Sequence, residues 1–332
     1  MPQISVIMPA YNAENYIGDA IESILKQTFT NFEFIIINDG STDNTKRIIR
    51  TYNDSRIILL ENEKNSGIVK TLNRGLNVAK GKFIARMDAD DIAIPERLEI
   101  QKNYLEEHPE IAVLGTGIQV FGNGIESYDR IFTTNPDQLK AELIFNSCIA
   151  HPTVMIRKSV LDENKLHYDE RCVGAEDYFL WWELSKKAKI ATLPNILHKY
   201  RIHGKQVTQN KNESQQKMMC DLLEYRLSDM KVDLEEEEKK VLLAYCMADF
   251  HQFNKENFEE FENALLKILN INKKTNMFSK KALHQVCELA IIFSLKNSDM
   301  ELQDQKKEYK KAVQKGIFTP MMRLKTAYHH TF

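Results

Sequence analysis

The chain lacks any apolar run long enough to cross a bilayer, which excludes a helical membrane-spanning class. It also lacks an excess of either charge: the formal net charge is −2, so there is no global basic field of the kind that recruits nucleic acid. Its five cysteines (Cys148, Cys172, Cys220, Cys246 and Cys287) are odd in number, scattered, and never in C-x-x-C spacing. That argues against a disulfide framework and a cysteine-based zinc site, and it fits a reducing compartment. There is no long repeat and no low-complexity segment. The first residues run directly into the strand-like Ile4–Met8, with no basic leader and too few apolar residues for a signal peptide, so a cytoplasmic location is expected. What is present is ordinary for a globular protein: 332 residues, 43% apolar and 28% charged, enough for one large core or two domains.

Strand and helix signals alternate through the first part. Apolar runs at Ile4–Met8 (stopped by Pro9), Phe34–Ile37, Ile57–Leu60 and Phe83–Met87 predict strands. Helical spacing predicts helices over Asn15–Lys26, through Ile48 and Ile49 behind a cap at Ser41 or Asp43, and over Ile68–Ala79. This order implies a parallel, doubly wound α/β sheet that binds ligands beyond the carboxyl ends of its strands. From Pro95 to about Thr208 the pattern is mixed. Helices are expected over Pro95–Glu107, Pro136–Phe145 and Asp177–Lys187, and strands over Ile111–Leu114, Ile118–Phe121 and Thr153–Ile156. After the polar stretch Gln209–Asn212 only helical segments remain: Gln215–Met230, Glu235–Phe253, Phe258–Leu269, Lys280–Leu295 and Gln303–Val313. A boundary near residue 210 is therefore expected. It separates an α/β part over 1–210 (halves 1–95 and 96–210) from a helical region over 211–332. Glu235–Glu238 read as a solvated first helical turn.

The chemistry concentrates at Asp88-Ala89-Asp90-Asp91, directly after the apolar run ending at Met87. Carboxylates this close repel one another. In an extended backbone Asp88 and Asp90 share a face, an oxygen set that suits Mg²⁺ or Mn²⁺ with substrate phosphates completing the shell. The alternative is an acidic turn, with Asp91 helping to start the helix at Pro95. Two further polar loops, Pro9-Ala10-Tyr11-Asn12 and Asn38-Asp39-Gly40, end the neighbouring strands and converge on the same crevice.

Five motifs, Val6–Asn12, Asn38–Asp43, Asn65-Ser66-Gly67, Asp88–Asp91 and Glu176-Asp177, occur in an order that resembles the family 2 glycosyltransferases over about the first 210 residues. The resemblance implies the GT-A fold, a Rossmann-like nucleotide-diphospho-sugar transferase sheet, and inverting transfer from a sugar nucleotide. Ile84–Arg97, His151–Arg157 and Lys199–Gly204 resemble bacterial lipooligosaccharide and capsule enzymes of the β-1,3-N-acetylglucosaminyl, galactosaminyl or galactosyl type. Those enzymes tend to carry Asn-Pro-Ile-His before the position of Thr153, where this chain has Asn146–Pro152, a departure that bears on the acceptor.

The resemblance implies a role for each residue. Asp90 is the main metal ligand, and Asp88 contacts the ribose or reaches the metal through water. Asp177 is the general base, though Asp at a helix start is also a common N-cap. Glu176 orients the acceptor or braces its loop. Pro9 sets the first turn, Tyr11 stacks on uracil, Asn12 adds amide contacts and Asp39 accepts from the uracil N–H, all places that ordinary turn chemistry also fills. Asn65 and Gly67 open a helix facing the nucleotide, on which Asn73 is either functional or structural. Arg201 pairs with phosphate, and His203 ligates the metal, contacts phosphate or is simply solvated. His151 touches the acceptor or merely leads into Pro152. One of Trp181 and Trp182 stacks on an acceptor sugar, or both pack in the core.

The expected cofactor is a divalent cation, Mn²⁺ or Mg²⁺, with a UDP-sugar as donor. The expected partners are that nucleotide and a glycan or lipid-linked glycan acceptor, with no nucleic acid. Lys306, Lys307, Lys310, Lys311, Lys315, Arg323 and Lys325, interleaved with Val313, Ile317, Phe318, Met321, Met322 and Leu324, make a basic tail. It either lies peripherally on an anionic inner-membrane surface or is a solvated face on a packing or oligomerisation helix. A sugar-phosphate nucleotidylyltransferase would need an early Gly-rich, basic phosphate loop, which Pro9–Asn12 does not supply. An inactive scaffold would tolerate loss of Asp90 or Asp177, and both are present.

Overall fold

The computed structural model describes residues 1–122, 124–204 and 213–318. The stretch Gln209–Asn212 and the tail residues Met321, Met322, Arg323, Leu324 and Lys325 lie outside the described residues. The chain divides into two compact units. The first holds Met1–Pro136 and Ser147–Asn212; the second holds Asp137–Asn146 and the chain from Glu213 on.

The first unit is built on one sheet. Strands β1 (Ile4–Ala10), β2 (Phe32–Asp39), β3 (Ile57–Asn62) and β4 (Phe83–Arg86) alternate with helices α1 (Ile17–Leu25), α2 (Thr45–Ile49) and α3 (Ile68–Val78). They lie parallel in the order β3-β2-β1-β4. β1 and β2 are buried along their whole length, as parallel strands covered on both faces must be. Ile17, Ala20, Ile21 and Ile24 of α1 share a face and join the core formed by Val6, Met8, Phe34 and Ile36.

The parallel, doubly wound expectation holds only for this half. Beyond β4 come the two-residue β5 (Ile92–Ala93), α4 (Arg97–Glu107), β6 (Ile111–Gly122), β7 (Tyr128–Arg130), α5 (Pro136–Glu142), β8 (Met155–Arg157), α6 (Lys158–Asn164), α7 (Glu176–Ser185) and β9 (Lys189–Ile202). The sheet continues from β4 as β8-β6-β9-β5, with β4–β8, β8–β6 and β9–β5 antiparallel and β6–β9 parallel. The two strands expected over 111–121 are one, and its register against β9 jumps where Pro194 and Asn195 stand out of the ladder. The strand expected over Thr153–Ile156 begins later, at Met155, after a single 3₁₀ turn at His151–Thr153.

Pro9 does not stop β1, which runs on to Ala10. The N–H of Met87 donates to the carbonyl of Ile7, so Ile7 faces β4. Pro9, two residues on, faces the same way past the end of β4 at Arg86, where no ladder bond is lost.

The second unit is helical: it takes α5 after Pro136 and adds α8 (Glu213–Met230), α9 (Glu236–Cys246), α10 (Phe258–Thr275), α11 (Lys280–Asn297) and α12 (Leu302–Gln314). The helix expected over Glu235–Phe253 breaks after Cys246, where Ala248 takes φ 53° and a 3₁₀ turn follows at Phe250–Gln252. Of the expected solvated turn Glu235–Glu238, the first three residues are exposed at the start of α9, and only Glu238 departs. Glu235 and Glu238 form a reciprocal capping box, and Glu238 is buried with Lys267 Nζ 2.6 Å from its carboxylate. Among the described residues no helix is long and apolar enough to cross a membrane.

Gly40, at the carboxyl end of β2, has φ 66°, and a Cβ there would lie 2.5 Å from the backbone carbon of Lys64. Replacing it with Ala combines left-handed strain with a backbone clash. Gly40→Ala is expected to lower unfolding stability by at least about 2 kcal/mol in urea titration.

Candidate active site

The acidic loop spans the gap between β4 and β5. β5 pairs with β9, Ile92 opposite Lys199 and Ala93 opposite His198, so the last residues of β9 run beside the loop. Asp88, Asp90 and Asp91 bring carboxylate oxygens within 4.8 Å of one another. Each finds a different partner.

Asp91 is completely buried and accepts from the backbone N–H of Arg201 at 2.8 Å. Its other oxygen lies 2.8 Å from His198 Nε2. His198 Nδ1 lies 3.3 Å from Arg97 Nη1, in a buried guanidinium that can only donate. Nδ1 must therefore accept, which leaves Nε2 to donate to Asp91. Burial and the charge of Arg97 hold His198 well below its usual range, so the ring is neutral. Asp91 thus anchors the loop to β9 and does not start a helix, since α4 begins six residues later at Arg97.

Asp88 is ion-paired with Arg86, two residues back and buried on β4. Asp90 Oδ2 lies 2.9 Å from His203 Nε2, and the His203 ring stacks on Tyr16 at 4.6 Å. Burial, with the negative charge of Asp88 and then Asp91, pushes Asp90 up to about 6. This carboxylate carries charge that its surroundings only partly balance. Hard oxygens with one imidazole nearby make a donor set that suits Mn²⁺ or Mg²⁺. Arg201, expected to meet phosphate, already donates through Nε to the Asp90 carbonyl at 2.7 Å. Its Nη2 lies 3.1 Å from Asp19, and its guanidinium sits over the rings of Tyr16 and Phe121.

The first loops are tied to one another. Asn12, at φ 48°, accepts from the Thr42 N–H at 2.8 Å and donates its own N–H to Ser41 Oγ at 3.0 Å. Tyr11 beside it is exposed. Asp39 is buried and accepts from Asn62 Nδ2 (2.6 Å), the Ser66 N–H (2.8 Å) and the Gly67 N–H (3.0 Å). Asn65 Oδ1 also accepts from the Gly67 N–H at 3.0 Å. The amino end of α3 therefore already holds an anion, the Asp39 carboxylate. Gly67 reaches φ 87° to make that turn.

The charge of Arg86 also reaches the α7 residues. Glu176 is buried and accepts from the Gly174 N–H at 2.7 Å, bracing the loop before the helix. Asp177 is half-buried, with Oδ1 on the Tyr178 N–H at 2.7 Å and Ser147 Oγ at the hydrogen-bond limit, 3.5 Å from Oδ2. Asp177 forms no N-cap bond; Ala175 occupies that place. Burial and then the charge of Glu176 push Asp177 up to about 6, while Arg86 draws it down.

His151 Nε2 lies 2.9 Å from the Tyr168 hydroxyl, and its ring meets Trp181 edge-on. Burial and Arg86 keep it well below its usual range. Trp181 and Trp182 are both completely buried. The expectation that one of them stacks on an acceptor sugar is corrected: neither ring has a free face, and Trp181 instead backs His151.

Three residues of the site carried no assignment in the sequence. Arg86 is charged, buried and felt by Asp88, Asp177, His151 and Tyr168. Its signal was a cation two residues before Asp88 on a strand, hence on the same face. Tyr168 and His198 gave no local signal. Asn73, left open, is structural: its amide bonds both the N–H and the carbonyl of Tyr168 (3.0 and 2.8 Å), pinning the 165–175 loop to α3.

Comparison with known proteins gives a consistent picture. Residues 5–164 match the description "Glycosyl transferase family 2". An uncharacterized glycosyltransferase of Haemophilus influenzae is 35% identical over 274 residues, 77% of this chain and 82% of that protein. The UDP-Glc:alpha-D-GlcNAc-diphosphoundecaprenol beta-1,3-glucosyltransferase WfgD of Escherichia coli is 33% identical over 63% of this chain and 80% of its own length. Among solved structures, S. aureus TarS 1–349 in complex with UDP aligns with TM-score 0.57 at 23% identity, covering 95% of this chain and 90% of that one. A mannosyltransferase of Pyrobaculum calidifontis in complex with GDP-Man and Mn²⁺ aligns with TM-score 0.54 at 16% identity, over 95% of this chain and 85% of that one. The mixed sheet, the helical region after it and these relatives together establish that the chain is a glycosyltransferase of family 2 with the GT-A fold.

Proposed function

We propose that the protein is an inverting, divalent-cation-dependent glycosyltransferase that moves a sugar from a UDP-sugar to a hydroxyl of a bacterial surface glycan. The observation that carries this reading is a pair of carboxylates each raised to about 6, Asp90 in the acidic loop after β4 and Asp177 in the first turn of α7, with the charge of the buried Arg86 reaching Asp88 of that loop and Asp177. Two such groups with different neighbours suit two different tasks.

Asp90, with Asp88 and His203, would hold the cation. When bound, the cation supplies electrostatic stabilisation to the departing diphosphate. Asp91, His198 and Arg201 keep the loop in place for it. Tyr11, Asn12 and Asp39 form the nucleoside pocket, with the exposed Tyr11 ring against the base and Asp39 setting the Asn65–Gly67 turn beneath it. Asp177 takes the proton of the acceptor hydroxyl as its oxygen attacks the anomeric carbon from the face opposite the leaving group. His151 and Tyr168, both uncharged, line the acceptor side.

Support for UDP comes from relatives whose names carry it: WfgD, and the TarS structure with UDP. Support for a β-1,3 linkage to a lipid-linked glycan comes from the name of WfgD, which is 33% identical to this chain over 210 residues. A nucleotide sugar as donor would put the reaction at the cytoplasmic side.

Asp177→Asn is expected to lower kcat at least about 1,000-fold while leaving the Kd for UDP within about twofold, by calorimetry. Retained turnover in that variant would remove Asp177 as the base. Asp90→Asn is expected to weaken UDP binding at least about tenfold in the presence of Mn²⁺, and chelation of the cation should weaken the parent protein alike.

Asp177 also affects stability, because its folded-state pKa lies above the ordinary carboxylate value. The folded protein then holds a proton that the unfolded chain gives up between about pH 4 and 6, so this residue costs stability as pH rises through that window. Asp177→Asn should therefore stabilise the protein by about 1–3 kcal/mol at pH 8, with the gain vanishing below pH 4, in urea titrations at the two pH values.

A further inference from the structure

We propose that Asn73, on the helix that opens at the nucleoside pocket, is a positioning residue for the acceptor: through Tyr168 it sets the direction of the His151 ring. This role rests on His151 lining the acceptor side, as proposed above. Asn73 acts only through other residues, and it stands apart from the groups assigned to the nucleoside, the cation and the base.

The first link is from α3 to Tyr168. Tyr168 lies between α6 and α7, 95 residues from Asn73 in the chain. It is 2% exposed, so its peptide groups need partners inside the protein. An amide side chain can accept and donate at once. Asn73 Oδ1 accepts from the Tyr168 N–H at 3.0 Å, and Asn73 Nδ2 donates to the Tyr168 carbonyl at 2.8 Å. Backbone bonds from Leu166 to Leu161, from Cys172 to Asp169 and from Ala175 to Cys172 shape the stretch around it without reaching α3. A second tie to α3 is the pair Lys70 and Glu170, 3.7 Å apart with both side chains more than half exposed. Exposed pairs of that kind are worth little. The stronger connection is therefore Asn73.

The second link is from Tyr168 to His151. The Tyr168 hydroxyl lies 2.9 Å from His151 Nε2, with the two rings 5.4 Å apart. The backbone at His151 is held by other groups. The Thr153 N–H and Oγ1 both donate to the Ala150 carbonyl, at 3.0 and 2.7 Å, and Gln101 Nε2 donates to the Thr153 carbonyl at 2.8 Å. That turn leaves the His151 ring free to rotate about its own bonds. Tyr168 on Nε2, and the edge-on Trp181 ring 5.8 Å away, restrict that rotation.

The third observation is what the ring then offers. His151 is half-buried, and its Nδ1 has no partner among the described residues. A neutral imidazole has one donor and one acceptor nitrogen, and the bond made by one decides the role of the other. The Tyr168 contact therefore fixes both the direction and the proton state of Nδ1. A sugar hydroxyl donates and accepts, so it can pair with either form, and the direction of Nδ1 does the selecting.

The test has a spectroscopic and a kinetic arm, both on the full chain. With ¹⁵N-labelled histidine at neutral pH, His151 is assigned among the nine histidines by its loss in His151→Gln. The parent is expected to show a single neutral tautomer there, and Asn73→Asp and Tyr168→Phe an average of two. The kinetic arm uses UDP-glucose with a GlcNAc diphosphate on a short alkyl chain, the donor and acceptor types for which WfgD is named. Asn73→Asp is expected to raise the acceptor KM at least about tenfold, with kcat changed less than about threefold and the Kd for UDP within about twofold. Tyr168→Phe, which removes only the hydroxyl, is expected to raise that KM at least about threefold. Added to His151→Gln, it should cost less than a further twofold or so, because both changes act at one contact. Circular dichroism and Tm establish that each variant is folded, and an unfolded Asn73→Asp leaves Tyr168→Phe and its cycle with His151→Gln to decide. The positioning role is overturned if the His151 resonances of Asn73→Asp match those of the parent. It is equally overturned if the losses from Tyr168→Phe and His151→Gln multiply, or if Asn73→Asp weakens UDP binding and leaves the acceptor KM unchanged. No turnover of the probe pair by the parent contradicts the proposed reaction instead, and the His151 resonances then decide the positioning role alone.

Discussion

The buried carboxylate of Asp91 is the interaction on which the site depends. Leaving such a group without partners would cost about 3–5 kcal/mol, so the fold must bring donors to it. The Nε2–H of His198 and the N–H of Arg201 are those donors, and both come from β9, more than a hundred residues away in the chain. Once Asp91 is pinned, the short β5 is registered on β9 and the position of Asp88 and Asp90 follows. Arg97, locked by its bond to the Arg86 carbonyl at 2.7 Å, fixes the tautomer of His198 behind it. The three acids thus divide their work: one anchors, one balances Arg86, and one, set against His203, is raised by burial and by the charge of the other two.

Arg86 joins the two chemical halves. It sits at the end of β4 beneath the acidic loop, and its charge reaches both Asp88 and Asp177. Asp90 and Asp177 are raised to similar values for different reasons. Burial leads in both, but Asp90 is then raised by its own loop partners, whereas Asp177 is raised by Glu176 and eased down by Arg86. An arriving cation would relieve the first without touching the cause of the second, so charge at one half need not silence the other.

The strand–helix alternation from Ile4 to Arg86 was readable because buried parallel strands are continuous apolar runs and their helices carry one apolar face. The acidic loop was readable because clustered charge next to a buried strand is itself abnormal. What stayed hidden was pairing. His198 and Arg97 look like any polar residues on a strand and a helix, and only the β5–β9 register reveals that they serve Asp91. Asp39 read as a base-recognition group, yet much of its hydrogen-bonding capacity goes to the α3 turn, which lies 27 residues downstream at Ser66. Trp181 and Trp182 cannot share a helix face, which suggested one outward ring. The packing on both sides of α7 buries both. Pro9 misled for a simpler reason: a proline ends a ladder only where a partner strand is present to be missed.

The central claim is that Asp90 carries the charge that holds the cation. The most direct measurement is a crystal structure of the protein with UDP and Mn²⁺, with anomalous scattering recorded at the manganese edge. The account predicts one strong peak at bonding distance from the Asp90 carboxylate, with diphosphate oxygens on its far side. A nucleotide bound in the cleft with no manganese peak at Asp90, or with the peak elsewhere, would contradict it.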